Sequence, residues 1–161
     1  MSCQEDGFPN QAVKIEFTES LEQWNKLNET NGRSYKYTTT FTSWKGYGAT
    51  TEIIVMNDEV IGRNYESFQI DNLTGNKEVL ESFQEAESEL NTNSYGAPTS
   101  TIDELYDSCI KNYLVVSERN NTIYFETNDD DLMILCGYVP NNCADDCFSG
   151  IRISSFEWLD I

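Results

Sequence analysis

Between Tyr35 and Thr42, large side chains at Tyr35, Tyr37 and Phe41 alternate with Lys36, Thr38, Thr40 and Thr42. A period of two predicts a strand with one face turned inward. Residues 50–56 and 59–70 read as two further strands, joined by Asn57-Asp58, a pair suited to a tight hairpin turn. The loop at 43–48 is too short for a parallel crossover, so these three strands form an antiparallel meander. Elsewhere the period lengthens. Ser20-Leu-Glu-Gln23 has the form of a capping box, Leu21, Trp24, Leu27 and Asn28 share one helical face, and Asn31-Gly32 supplies the stop. Val79, Leu80 and Phe83 are spaced for a second helix over residues 78–90. Thr101-Ile-Asp-Glu104 opens the clearest helix, with Ile102, Leu105, Tyr106, Cys109, Ile110 and Tyr113 along one side. Past Asn120-Asn121, residues 122–127, 132–138 and 151–159 read as strands.

Strands grouped in runs, and not alternating with helices, predict the α+β class. The expected architecture is a single domain over 13–161, an antiparallel sheet of about six strands packed against two or three helices. Residues 1–12, with Gly7, Pro9 and Asn10, read as a flexible N-terminal tether. The length of 161 residues suits one domain, and 39% hydrophobic with 12% aromatic residues supplies a real core.

Charge narrows the function. Ten Lys and Arg stand against 28 Asp and Glu, a formal charge of −18. Such a field repels phosphate backbones and anionic headgroups, so nucleic acid and charged membrane surfaces are not expected partners. The sequence contains no histidine. Ser-His-Asp and Cys-His nucleophile pairs, His-ligated metals and a His-based pH switch are thereby excluded. No apolar run approaches the roughly 18 residues of a membrane span.

The cysteines fall as Cys3 alone and then Cys109, Cys136, Cys143 and Cys147. Four in the last third suit two disulfides in an oxidising compartment. Three connectivities are possible, and Cys109–Cys136 with Cys143–Cys147 is preferred. The first staples a helix to a strand, and the second closes a small loop. Buried free thiols are the alternative; a zinc site lacks the paired Cys-x2-Cys knuckle. Asn28-Glu-Thr, Asn72-Leu-Thr and Asn120-Asn-Thr are glycan-acceptor triplets that also fit a secretory route.

The opening Ser2-Cys3-Gln4-Glu5-Asp6 resembles the start of a mature bacterial lipoprotein, with the acidic run after the cysteine similar to the surface-export signal of Bacteroidetes lipoproteins. That resemblance implies lipidation at Cys3, an upstream export segment, and membrane contact through a lipid anchor at the outer membrane or cell surface. Tyr35-Lys-Tyr37, Thr42-Ser-Trp-Lys-Gly-Tyr-Gly48, Glu52-Ile-Ile-Val55, Val60-Ile-Gly-Arg63, Ser100-Thr-Ile-Asp-Glu-Leu-Tyr106 and Ile151-Arg-Ile-Ser-Ser-Phe156 resemble segments of small exported bacterial proteins of unknown function. The resemblance covers about residues 18–158 and implies a compact α+β domain with no assigned activity. Cys143 and Cys147 depart from its pattern.

Three kinds of chemistry compete. Trp44-Lys-Gly-Tyr47-Gly48 places two large aromatics at a hairpin tip, a suitable surface for stacking on a sugar or entering a partner's groove. Packing of Trp44 into the core is the structural alternative. Tyr95-Gly-Ala-Pro98 is a second candidate of the same kind. Asp129, Asp130 and Asp131 between two strands, with Asp145 and Asp146 in the next loop, offer hard oxygens for weak calcium binding, or simply form solvated turns. A carboxylate hydrolase needs two acids in a cleft, one with a raised pKa, and no spacing in the chain specifies such a pair. Arg63 and Arg152 are expected to pair with carboxylates. The sequence therefore predicts a non-enzymatic extracytoplasmic binding module for a protein or carbohydrate, with a calcium-binding secreted structural protein and a hydrolase as alternatives.

Overall fold

The computed structural model describes residues 10–160. They form two compact units, residues 10–27 with Ile102–Arg152, and Asn28–Thr101 with residues 153–160. The class is α+β, as the grouping of strands predicts. In place of one sheet of about six strands there are two antiparallel sheets, of five and three strands.

Helix α1 (Gln11–Thr30), which belongs to the first unit as far as Leu27, starts well ahead of Ser20. Asn10 is the cap: its Oδ1 accepts from the Ala12 amide at 2.9 Å and its carbonyl from Lys14 at 3.1 Å. Phe17, Ser20, Trp24 and Asn28 are the buried positions of α1, spaced three and four apart. Ser20 is thus an interior residue, not a cap. Its hydroxyl donates to the Asp131 carbonyl at 2.7 Å and meets the Tyr106 hydroxyl at 2.6 Å, which in turn accepts from the Met133 amide at 2.9 Å. Burial raises the Tyr106 pKa, with the Ser20 and Met133 bonds acting the other way. Tyr106 lies on α2 (Ile102–Ser108), which widens into a π-helical turn over Cys109–Tyr113. Phe17 meets Tyr106 and Phe125 edge-on at 5.9 Å each, and the Trp24 indole donates to Asp103 at 3.2 Å.

The sheet of this unit runs β5 (Asn121–Thr127), β6 (Met133–Pro140), β7 (Ser149–Arg152) in that order. Cys109 and Cys136 are bonded and fully buried, with Cα atoms 5.9 Å apart, so the helical turn is stapled to the central strand. Cys143 and Cys147 are bonded within the β6–β7 connection, Cα atoms 6.2 Å apart. Both pairs are the preferred ones.

The second unit is built on β1 (Tyr35–Thr42), β2 (Tyr47–Met56), β3 (Glu59–Ile70), β4 (Lys77–Ala86) and β8 (Ser155–Trp158), in the order β4-β3-β2-β1-β8. Asn57 and Asp58 take positive φ of 51° and 64°, the tight turn that their side chains tolerate best. The apolar run at 151–159 does not form one strand. It breaks at Ile153-Ser154, leaving β7 in one sheet and β8 in the other.

Residues 78–90 are not one helix: they are strand to Ala86, followed by a single 3-10 turn at Glu87–Glu89. Lys77 to Ala86 pair with β3 throughout, and Leu80 is the extra residue of a bulge opposite Ser67 and Phe68. The bulge sets Val79 and Leu80 side by side, which mimics helical spacing, while Phe83 and Glu85 face one side in a strand period. Cross-strand pairing with Tyr65 and Arg63 overrides the helix preference of the glutamates. The bulge and the charges at Lys77, Glu78 and Glu81 also blunt an exposed sheet edge.

Candidate functional site

Strand registers set the inner face of the five-stranded sheet in rows. Phe156, Tyr37, Ile53, Arg63 and Glu85 make one row; Thr39, Thr51, Tyr65 and Phe83 the next; Phe41, Ala49, Ser67 and Glu81 a third; and Tyr47 with Gln69 the last. Burial falls along this series. Tyr37, Ile53, Arg63 and Glu85 are almost wholly buried, whereas Phe41 is 53% and Tyr47 39% exposed. The opposite face is polar, with Lys36 between Glu52 and Glu157, and Lys77 paired with Glu66.

Across the inner face runs the segment after β4. Its anchor is Arg63, whose Nε and Nη2 donate to the two Glu85 oxygens at 2.7 and 2.9 Å, a fork-to-fork pair. Nη1 and Nη2 also donate to the carbonyls of Ala97 and Asn93 at 3.1 and 2.9 Å. Glu85 accepts in addition from the Asn91 and Asn93 amides at 2.9 and 2.8 Å. The Arg63 guanidinium, with those donors, holds the Glu85 carboxyl well below the usual range although burial opposes it. Further along, the Ala97 amide donates to Thr51 Oγ1 at 3.0 Å, and Tyr37 donates to the Ser100 carbonyl at 2.6 Å. Apart from the Arg63–Glu85 pair, which joins β3 to β4, these bonds tie the segment to the sheet.

The segment thereby carries Tyr95 onto the sheet. Its ring stacks on Tyr65 at 6.2 Å and 17°, and Tyr65 also stacks on Phe83 at 5.0 Å. Gly96 is needed here: its φ is +93°, and an added Cβ would sit 3.3 Å from the Tyr65 ring. The hydroxyl of Tyr65 interacts with Tyr47 and Ser67, and its pKa is raised, first by burial and then by Tyr47. Tyr47 and Tyr95, distant in sequence, therefore meet on one buried tyrosine. Beside them lies Phe41, opposite Ala49. Together Phe41, Tyr47 and Tyr95 form an exposed aromatic patch on a rigid strand floor.

Trp44 is apart from this patch. It is 71% exposed at the β1–β2 tip, with the Lys45 ammonium 5.1 Å from its ring centre, so it is not a core residue. Arg63 pairs as expected, whereas Arg152 packs over the Phe148 ring at 4.2 Å. The aspartates form no metal centre: among the described residues no group of three or more Cys, Asp or Glu side chains is placed to hold an ion. Asp129, Asp130 and Asp131 stand exposed on a turn organised by Asn128, whose Oδ1 accepts from the Asp130 and Leu132 amides at 3.0 Å each. Asp145 and Asp146 are exposed in the disulfide loop. Of the acceptor asparagines, Asn28 is buried and bonded to Asp58 at 3.0 Å, while Asn72 and Asn120 are exposed. Cys3 lies outside the described residues.

Phe41, Tyr65 and Phe83 join the patch without having been singled out from the sequence. The alternation through Phe41 was a usable signal; the stacking of Phe83 was hidden by the helical spacing of 78–90. Among the described residues no helix is long and apolar enough to cross a membrane. Comparison of the chain with protein-family models, with curated proteins and with solved structures gave no match.

Proposed function

We propose that this chain is a non-enzymatic binding module acting outside the cytoplasm, anchored by lipid at Cys3, and that the Phe41–Tyr47–Tyr95 patch is its contact surface. One observation carries the reading. Tyr47 and Tyr95 converge on Tyr65, yet remain 39% and 58% exposed. Rigid aromatic rings with few rotatable bonds give large contact area at low entropic cost, the property that makes tyrosine frequent at contact hot spots. The segment bearing Tyr95 is fastened through Arg63 and Glu85, so the patch is organised before any partner arrives. The two disulfides support an oxidising environment. The likeness of residues 2–6 to a lipoprotein start supports the anchor.

The test is comparative capture. Wild-type protein and a Tyr47→Ala/Tyr95→Ala variant, matched by circular dichroism, are immobilised and exposed to envelope extract. A component retained by the first and lost by the second supports the patch; identical retention by both defeats it. Labelling with an alkyne fatty acid during expression behind a bacterial lipoprotein export segment fused ahead of Cys3 should mark the protein and not its Cys3→Ser variant. A label that survives in that variant removes the anchor from the reading.

A further inference from the structure

The two hairpin tips at one end of the five-stranded sheet enclose a second feature, next to the aromatic patch through the Tyr47–Gln69 pair. The tip before β2 and the tip between β3 and β4 are pinned together. The Ile70 amide donates to the Gly46 carbonyl at 2.8 Å, and Gln69 Nε2 donates to the Lys45 carbonyl at 2.8 Å. Gly46, at φ +86°, has no room for a side chain against the Ile70 carbonyl. Between the tips lies an open cleft of about 440 Å³, within the size range of small-ligand sites.

Its lining specifies a class of ligand. Asn72, Asn76 and Gln69, all with amide side chains, line the cleft. Among the described residues, the Asn72 and Asn76 side chains have no hydrogen-bond partner, and Gln69 uses only its Nε2. Each free amide offers two donors and an acceptor with two lone pairs. The charges cancel: Lys45 and Lys77 stand against Asp71 and Glu78. Three of these are already engaged. Lys45 lies over Trp44, Lys77 pairs with Glu66, and Asp71 Oδ1 accepts from the Leu73 and Thr74 amides at 2.8 and 3.2 Å. Trp44 and Leu73, next in the chain to the lining residues Lys45 and Asn72, are 71% and 97% exposed.

A locally neutral cleft in a chain of charge −18 does not select ions of either sign. Paired donors and acceptors on planar amides match hydroxyl groups, which are themselves both donor and acceptor. The exposed indole of Trp44, in contact with the lining residue Lys45, matches the apolar face of a sugar ring. We propose that the hairpin-tip cleft binds a neutral pyranose unit, its hydroxyls held by Asn72, Asn76 and Gln69. Asp71 and Glu78 are both exposed, without the burial that a general acid needs, so the site holds the sugar and does not cleave it.

Titration of ¹⁵N-labelled protein with methyl glucoside, methyl galactoside, N-acetylglucosamine and cellobiose tests this, with methyl glucuronide as the anionic counterpart. At millimolar sugar, shifts are expected at the Asn72, Asn76 and Gln69 side-chain amides and at the Trp44 indole. Asn76→Ala should weaken binding about three- to tenfold, the worth of one or two neutral hydrogen bonds, and Tyr95→Ala should leave it unchanged. Lack of response to every neutral sugar overturns the proposal, as does a shift map confined to Tyr47 and Tyr95. Equal binding of the glucuronide overturns the charge argument on which it rests. Asn72 and Asn76 are exposed, and the wild-type shift map stands even if a variant were to misfold.

Discussion

The two sheets are held by different chemistry. The three-stranded sheet is short, and its central strand is bonded covalently to the turn after α2 through Cys109–Cys136. The five-stranded sheet contains no cysteine. It relies on rows of aromatic side chains and on one buried ion pair that also fastens the segment bearing Tyr95. Small sheets bury too little apolar surface to stand on packing alone, and cross-links supply the difference. The larger sheet has surface to spare, and it is there that the rings of Phe41 and Tyr47 are left exposed.

The strongest way to break this contrast is to remove the buried bridge. Cys109–Cys136 closes a separation of 27 residues and Cys143–Cys147 one of 4. In the chain-entropy view the first contributes about 3.5 kcal/mol and the second about 2 kcal/mol. Cys109→Ala/Cys136→Ala should therefore lower the urea midpoint clearly more than Cys143→Ala/Cys147→Ala. Hydrogen exchange should quicken first in β5, β6 and β7. If β2 and β3 lose protection equally, the sheets are not separately stabilised.

The matching perturbation of the larger sheet is Glu85→Gln. It leaves the Arg63 charge buried against a neutral amide and should loosen residues 90–101. The pH dependence has a definite sign. The folded pKa of Glu85 lies below its unfolded value of about 4.3, so its contribution is complete above that pH and is lost as pH falls below it. The stability gap between wild type and variant should thus be constant near neutrality and shrink on acidification. A gap that widens below pH 4 reverses the assignment. In the smaller unit a neutral hydrogen-bond chain has the corresponding role, and Tyr106→Phe tests it. Loss of the hydroxyl strands the Met133 amide and should cost about 1–3 kcal/mol, measured by urea unfolding, with no dependence on pH between 4 and 8.

Which parts were legible in the sequence follows from the range of the interactions concerned. β1, β3, the Asn57-Asp58 turn and the helix opening at Ile102 were readable because period and turn chemistry are local. The start of α1 was missed because Ser20-x-x-Gln23 satisfies a cap pattern while tertiary bonding to Tyr106 and Asp131 claims the serine. β4 was misread because its bulge imitates a helical repeat. The division of residues 151–159 between two sheets depends on partners more than 100 residues away in β1, and no local pattern carries that. At the site, Tyr47 and Tyr95 were recognisable as aromatics in glycine-containing loops. Their meeting on Tyr65 was not, since it depends on the Arg63–Glu85 anchor between two strands.

Tyr95 gives the mildest perturbation and the sharpest one for function. Its ring contributes a stacking contact at the surface, whereas its segment is fixed by the bonds of Glu85, Arg63, Thr51 and Tyr37. Tyr95→Ala should therefore change stability by less than about 1 kcal/mol, in the range of exposed substitutions. Near-ultraviolet circular dichroism should lose the signal of the stacked pair while the far-ultraviolet spectrum stays unchanged. A large fall in the urea midpoint would mean that the ring itself closes the segment onto the sheet. Tyr95 would then belong with Phe83 as packing, and the exposed face would shrink to Phe41 and Tyr47.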